Sequence, residues 1–196
     1  MEGNWLWKRN RVISNVHFRR SLFTERLIQL NTLKFEKWVF EPGMLFSSGT
    51  KWWGDKGARG RRHNGLDLRS YKACDGTLRT LEEGTRIPII FDGRIVGAIR
   101  DFIGYSVFAA HEIYDRDSGL FTIYGHVVQA PRVRIDETLR EGTEIAAMAG
   151  SSAGKAPCHL HISVAMIPRY RSFEALNWKV LEEDKAVRFF DPLDII

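Results

Sequence analysis

The sequence predicts one mainly β domain with an antiparallel, barrel-like or sandwich core. Two observations predict this class: from residue 87 onward short apolar runs alternate with turn signals, and helical periodicity is absent across this half. The chain has 196 residues, of which 44% are hydrophobic and 27% charged, which is enough for one ordinary core. Because neither a disulfide framework nor an oligomer is needed to stabilise such a core, we expect a monomer.

The candidate strands are apolar runs separated by residues that favour turns. Asp92 and Gly93 lie between two β-branched runs and predict a tight hairpin. The Asp-Ser-Gly sequence at 117–119 predicts a second hairpin with a slightly longer loop. The predicted strands cover residues 87–91, 94–99, 106–113, 120–126, 132–135, 144–149 and 159–165.

Residues 1–40 are predicted to form an N-terminal extension, which precedes the Gly-punctuated domain of residues 41–196. No Gly or Pro lies between Asn4 and Phe40, and aromatic residues are mixed with Lys and Arg. The spacing of Leu and Ile over 21–33 predicts a helix. Two interpretations of the extension stay open: it is a latency segment that shields the active site, or it packs against the barrel.

Charge and cysteine content narrow the function classes. The chain has 29 Lys and Arg against 24 Asp and Glu, a net charge of +5 that hints only weakly at a polyanionic partner. Because the excess is small and no nucleic-acid motif is present, we expect no nucleic-acid partner. Cys74 and Cys158 are too few for a disulfide framework and lack CxxC spacing.

Targeting signals are absent from the sequence as given. No apolar stretch reaches the ~18 residues of a membrane-spanning helix, and residues 1–30 lack the apolar centre of a secretory signal. If the protein acts outside the cytoplasm, we expect either an upstream leader or another export route.

A histidine and an aspartate four residues apart form the first candidate metal-binding element. His63 and Asp67 flank a turn that contains Gly65, which lets the chain curl so that an imidazole and a carboxylate meet one ion. Imidazole nitrogen and carboxylate oxygen are both ligands that Zn²⁺ accepts.

Three further histidines enlarge the candidate site. His159 and His161 are separated by one residue in a β-rich run, so both imidazoles project from the same face of a strand. His126 ends another apolar run. A catalytic zinc site uses three protein ligands, and hydrolysis also needs a proton acceptor and a donor to the oxyanion, which the two surplus histidines can supply. His111 is expected in a turn, and His17 is given no functional role.

The order of these motifs resembles that of the LytM/lysostaphin-type zinc metallopeptidases over residues 44–166. An HxxxD motif occupies 63–67, an aromatic-Gly-His element 124–126 and an HxH motif 159–161. The resemblance implies a Gly-rich, mainly antiparallel β core similar to a duplicated hybrid motif, with a narrow groove over the metal. It also implies one Zn²⁺ per chain and a division of roles: metal ligands His63, Asp67 and His161, and catalytic residues His126 and His159.

The same resemblance implies a function. We expect a zinc metalloendopeptidase that hydrolyses peptide bonds in peptidoglycan stems or cross-links, with peptidoglycan peptide as its partner and the periplasm or cell envelope as its location. The alternative is a noncatalytic module of the same fold that binds cell wall or activates a separate hydrolase.

Several residues near the motifs have open interpretations. Cys158 directly precedes the HxH motif, where a thiolate would perturb or join the metal shell. Trp52 and Trp53 either line a groove for glycan or peptide, or pack in the core. The connection at 70–83 and the excursion at 167–190 are longer than the resemblance implies, so specificity does not carry over.

Overall fold

The structure is a computed structural model that describes residues 18–130, 133–151 and 156–196. The described part contains two helices, α1 (Phe23–Asn31) and α2 (Trp178–Glu183), and three 3₁₀ turns. All strand pairs are antiparallel, which confirms the predicted fold class. The strands of the described residues are β1 (Phe35–Val39), β2 (Leu66–Leu68), β3 (Ser70–Ala73), β4 (Leu78–Thr80), β5 (Arg86–Pro88), β6 (Gly93–Arg100), β7 (Tyr105–Tyr114), β8 (Ser118–Gln129), β9 (Thr138–Leu139), β10 (Glu144–Met148), β11 (Leu160–Pro168) and β12 (Arg188–Phe190).

A nine-stranded sheet forms the core and positions the site. Its main path runs β12-β11-β8-β7-β6-β9, with β2 added to β11 and β10 paired to both β5 and β8. Every residue of β11 is buried, as are the first ten residues of β8. Strands buried on both faces read as nearly continuous apolar runs, which is why both were found in the sequence.

The predicted hairpin at 117–119 is confirmed. Strands β7 and β8 are its arms, with Tyr114 opposite Gly119. The backbone N–H of Asp115 donates to the carbonyl of Ser118, and the Asp115 carboxylate accepts from the N–H of Asp117 and of Ser118. A short polar side chain that binds the backbone two residues on is typical of such turns.

The hairpin predicted at Asp92 and Gly93 is wrong. Strand β5 pairs with β10, whereas β6, which begins at Gly93, pairs with β7 and β9. The Asp92 carboxylate instead accepts from the backbone N–H of Glu141 and from the guanidinium of Arg140. Because the 87–91 run is buried throughout, its pairing is set by the core and not by the turn sequence that follows it.

The strand predicted at 132–135 is also wrong over its described residues. Val133 donates from its N–H to the carbonyl of Ala130, and Glu137 donates to the carbonyl of Arg134, so the chain turns here. The Glu137 carboxylate caps the N–H of Arg134, and Asp136 adopts a positive φ of 69°. These local side-chain and backbone conformations compete with an extended strand.

A small second sheet, in the order β1-β3-β4, was not predicted. The segment 70–83, interpreted as a connection, folds as a hairpin whose turn has Gly76 at φ 82° and the N–H of Thr77 bonded to Asp75. Strand β1, which lies within the predicted extension, pairs with β3.

The predicted helix within 21–33 is confirmed as α1. Phe23 and Leu27 are fully buried in the main core, and the N–H of Ser21 donates to the carbonyl of Ile195. The described part of the extension therefore packs against the domain. The latency interpretation of residues 1–17 lies outside the described residues.

The structure places His111 in a strand. The expectation that His111 lies in a turn is wrong, since it is buried within β7 and bonded to Thr122 and to the carbonyl of Asp92.

In the described part of the chain, neither helix has the length and apolar character that crossing a membrane requires.

Candidate metal centre

The structure brings the three predicted ligands together. Asp67 is the middle residue of β2, and its register partner on β11 is His161. His63 lies in the loop before β2. Asp67 Oδ1 is 2.9 Å from His161 Nδ1 and 3.1 Å from His63 Nε2, and the two nitrogen atoms are 3.1 Å apart. One ion can therefore contact all three donor atoms.

Each predicted ligand is held from its far side by a further hydrogen bond. His63 Nδ1 lies 3.0 Å from the carbonyl oxygen of Leu45, and His161 Nε2 lies 2.9 Å from Ser163 Oγ. The Asp67 contact is the indole N–H of Trp52, which donates to Oδ2 at 2.7 Å. Such outer partners fix the tautomer and orientation of metal ligands.

The donor set fits a cation. The carbonyl of Leu45 can only accept a hydrogen bond, so His63 carries its proton on Nδ1 when the imidazole is neutral. Its Nε2 then presents a lone pair to the Asp67 carboxylate, which is also an acceptor. A cation between these atoms removes the repulsion, and two imidazole nitrogens with one carboxylate oxygen are ligands typical of Zn²⁺.

Burial and charge shape the ionisation of this cluster. Burial by itself raises the pKa of Asp67, but the adjacent imidazoles of His161 and His63 hold that pKa well below its usual range. Burial lowers the pKa of His161 to about 4. A carboxylate and an unprotonated imidazole are the forms that bind metal.

Two glycines leave room for the His161 side chain. A Cβ on Gly65 would lie 2.7 Å from the His161 ring and 2.3 Å from the carbonyl oxygen of Ile162. A Cβ on Gly125, the register partner of His161 on β8, would lie 3.2 Å from the His161 Cβ. The close approach of the HxxxD loop to β11 therefore requires glycine at 65.

The two remaining candidate histidines lie beside the cluster. The ring of His126 is 4.7 Å from that of His159 and 6.0 Å from that of His161, centroid to centroid. His159 Nε2 is 3.7 Å from Asp67 Oδ1, and its Nδ1 is 2.6 Å from the carbonyl oxygen of Pro157. Burial lowers the pKa of His159 to about 4, so this imidazole is neutral at pH 7.

His126 has an unusual backbone conformation. Its φ is 63°, in the left-handed region. A non-glycine residue there costs about 1–3 kcal/mol, and such residues cluster at active sites, ligand clamps and switch regions. The pairing of β7 with β8 is also irregular near this residue, between Tyr105 and Val107. Irregularities of this kind re-aim a side chain relative to the regular strand. The ring of Phe102 packs edge-on against His126 at 4.6 Å.

Tryptophan side chains contact two of the candidate histidines. Trp52 is buried and Trp53 half-buried; the rings of Trp52 and Trp53 contact His159, the first edge-on and the second stacked. Trp52 thus packs in the interior, and Trp53 lies beside the site. Trp178 of α2 packs edge-on against His161 at 5.6 Å. No spacing pattern in the excursion at 167–190 pointed to Trp178.

The basic residues before the HxxxD motif contact the protein itself. Arg59 donates to the carbonyls of Thr50 and Gly43 and lies 3.6 Å from Asp67 Oδ2. Arg62 donates to a carbonyl of the same loop. Arg61 pairs with Glu182 of α2 at 3.2 Å, which connects the excursion to this loop.

Cys158 lies apart from the described metal cluster. Its Sγ contacts the carbonyl oxygen of Ala149 at 3.2 Å, and burial raises the pKa of the thiol. The neutral thiol is a poor metal ligand, and the described cluster consists of His63, Asp67 and His161.

No family model matches the chain, and no curated protein does. Among solved structures, it is similar to the catalytic domain of lysostaphin, an antimicrobial peptidase from Staphylococcus simulans, with 17% identity and a TM-score of 0.47 over 84% of this chain and 92% of that one. The structure of the antimicrobial peptidase lysostaphin itself has 15% sequence identity and a TM-score of 0.49, and the match covers 92% of this chain and 54% of that one. The catalytic domain of the prophage-encoded M23 protein EnpA from Enterococcus faecalis has 18% sequence identity and a TM-score of 0.40, and the match covers 65% of this chain and 85% of that one.

The motif order resembles that of LytM/lysostaphin-type peptidases, and the three solved structures have TM-scores below 0.5 to this chain. The roles of individual residues depend on the geometry of this chain.

Proposed function

We propose that this chain is a zinc-dependent metalloendopeptidase that hydrolyses peptide bonds in peptidoglycan stems or cross-links. The observation that carries the proposal is the convergence of donor atoms from His63, Asp67 and His161, with the rings of His126 and His159 beside them. A hydrolytic zinc site requires three protein ligands, a proton acceptor for the attacking water and a donor to the oxyanion, and the two further histidines can supply the last two. The motif order supports a cell-wall substrate, and with it a location in the cell envelope.

The metal-binding atoms are proposed to be His63 Nε2, Asp67 Oδ1 and His161 Nδ1. When bound, Zn²⁺ supplies Lewis-acid chemistry, acidifying water and polarising the scissile carbonyl. On the far side, the carbonyl of Leu45 accepts from His63, the indole N–H of Trp52 donates to Asp67, and the hydroxyl of Ser163 contacts His161. These contacts keep the three donor atoms pointed at one another.

The two other histidines are proposed to move protons. The bond from His159 Nδ1 to the carbonyl of Pro157 leaves Nε2 with a lone pair, next to the cluster. His126 Nδ1 lies 3.2 Å from the Asp101 carboxylate. One of the two accepts the proton of the attacking water while the other donates to the developing oxyanion, a contact whose loss costs about 10²–10³ in rate.

The experiment that tests this function combines metal analysis with product analysis. Purified wild type, His161→Ala and, as a control histidine with no assigned role, His17→Ala are incubated with purified peptidoglycan, and the products are identified by mass spectrometry. We expect about one zinc per chain and new peptide termini for wild type and His17→Ala, and loss of both for His161→Ala.

Two other outcomes would contradict the proposal. Zinc binding without cleavage would favour the alternative, a noncatalytic module that binds cell wall or activates another hydrolase. Cleavage that persists in a zinc-free His161→Ala protein would show that the site is not the one proposed.

A further inference from the structure

Asp101 is a partly buried acidic residue outside all three motifs. It lies in the loop that joins β6 to β7, and its side chain is 5% exposed. Its Oδ1 accepts from the backbone N–H of Ile103 at 2.9 Å and of Gly104 at 2.7 Å. These two bonds cap the turn and leave the second oxygen, Oδ2, for other partners.

The second oxygen contacts His126 twice. It accepts from the His126 backbone N–H at 2.8 Å and lies 3.2 Å from the His126 Nδ1, an ion-pair distance at which Nδ1 does not reach hydrogen-bond geometry. The first contact anchors the backbone where φ is 63°, and the second sets which edge of the ring faces the carboxylate. A buried carboxylate needs such partners because an unpaired charge in the interior is strongly unfavourable.

A third contact orients the hydroxyl of Ser106. The indole N–H of Trp178 donates to Ser106 Oγ at 2.9 Å, and an indole N–H cannot accept. The hydroxyl proton is therefore free to point at Asp101 Oδ2, which lies 3.0 Å away. Helix α2 thus reaches the carboxylate through one hydroxyl group.

We propose that Asp101 is a positioning residue for His126, holding the imidazole with its Nδ1–H toward the carboxylate so that Nε2 is the nitrogen available for reaction. This inference rests on the proposed function. A carboxylate that fixes the tautomer and orientation of a catalytic histidine is the arrangement in serine-protease triads, where replacement by Asn lowers kcat by about 10⁴. Asp101 acts through His126 and does not touch substrate.

A turn-capping role alone does not account for these contacts. Asp115 caps the β7-β8 turn in the same way, with Oδ1 accepting from two backbone N–H groups, but its second oxygen pairs with Arg188 on the surface. Asp115→Asn is therefore a matched control for loss of charge at a turn-capping aspartate.

The test compares Asp101→Asn, Asp115→Asn and wild type on the full chain as purified, with zinc content measured for each. The tautomer of His126 is read from long-range proton–nitrogen NMR correlations of the imidazole, assigned by their loss in His126→Gln. Peptidoglycan cleavage gives kcat and KM.

We expect wild type to show the Nδ1–H tautomer. Asp101→Asn should keep its zinc and a KM within about twofold, lose this tautomer preference and lose about 10²-fold or more in kcat. Asp115→Asn should match wild type.

The inference is overturned if wild-type His126 carries its proton on Nε2, or if Asp101→Asn and Asp115→Asn behave alike. The wild-type spectrum decides the matter even if Asp101→Asn does not fold. A protein that shows the expected tautomer but cleaves no peptidoglycan would contradict the proposed function while supporting the positioning of His126 by Asp101.

Discussion

Trp52 donates a 2.7 Å hydrogen bond from its indole N–H to Asp67 Oδ2. The bond leaves Oδ1 as the oxygen that faces His63 and His161, at 3.1 and 2.9 Å. A tryptophan fifteen residues before the aspartate, together with Arg59 at 3.6 Å from the same oxygen, thus occupies Oδ2 and leaves Oδ1 to the metal centre. The Asp67 side chain is 1% exposed, so no solvent molecule replaces this contact.

Trp52→Phe is expected to weaken zinc binding by about 10–100-fold, the usual effect of removing an outer partner of a metal ligand. The aromatic ring remains to fill the space, but the hydrogen bond to Asp67 is lost. Zinc affinity is measured by competition with a chelating dye. Trp53→Phe is the matched control, because no indole bond to Asp67 is removed there. Equal affinities for the two variants would contradict the role of Trp52.

Gly65→Ala is expected to abolish zinc binding and destabilise the fold. The new Cβ would lie 2.3 Å from a backbone carbonyl oxygen, so it cannot be relieved by rotation of a side chain. Gly60→Ala in the same loop is the control, since a Cβ there meets nothing within 4 Å. Zinc content and thermal unfolding are measured for both. A Gly65→Ala protein that retains zinc and unfolds at the wild-type temperature would show that the loop can move away from β11.

His126→Ala and His159→Ala are expected to retain zinc and to lose about 10²–10³-fold in kcat. Neither residue supplies one of the three converging donor atoms, although both rings lie beside the cluster. Zinc content and muropeptide cleavage are measured together on the same preparations. Zinc loss in these variants equal to that of His161→Ala would contradict the proposed division of roles.

The stability of the protein is expected to fall as the pH is lowered through the titration of His111. Burial lowers its pKa to about 4 in the folded state, whereas an unfolded histidine has a pKa of 6.5. Between these values the unfolded state binds a proton that the folded state does not, so the free energy of unfolding decreases as the pH falls from 6.5 to 4. The full difference is about 3 kcal/mol.

His111→Gln removes this titration. Its free energy of unfolding, measured with denaturant at pH 7, 5.5 and 4, should fall less steeply toward acid than that of wild type, and the difference between the two curves isolates His111 from other buried groups. Parallel curves would mean that His111 keeps an ordinary pKa in the fold.

The sequence by itself predicted the class of the fold and named the side chains of the candidate site. Buried strands such as β8 and β11 are continuous apolar runs, and the histidine and aspartate spacings are local, so both are readable along the chain. The alternation that predicted His159 and His161 on one face holds in the structure, where both contact Asp67. Periodicity and spacing suffice for features of this kind.

Tertiary structure alone decided the strand partners and the outer contacts of the site. The Asp92-Gly93 sequence is a strong local hairpin signal, but core pairing of β5 with β10 overrides it. Asp101 lies 25 residues from His126, and Trp178 lies 72 residues from Ser106, so no local pattern links them. Such contacts arise when strands far apart in the chain are packed together, because packing brings side chains into reach without regard to their separation in sequence.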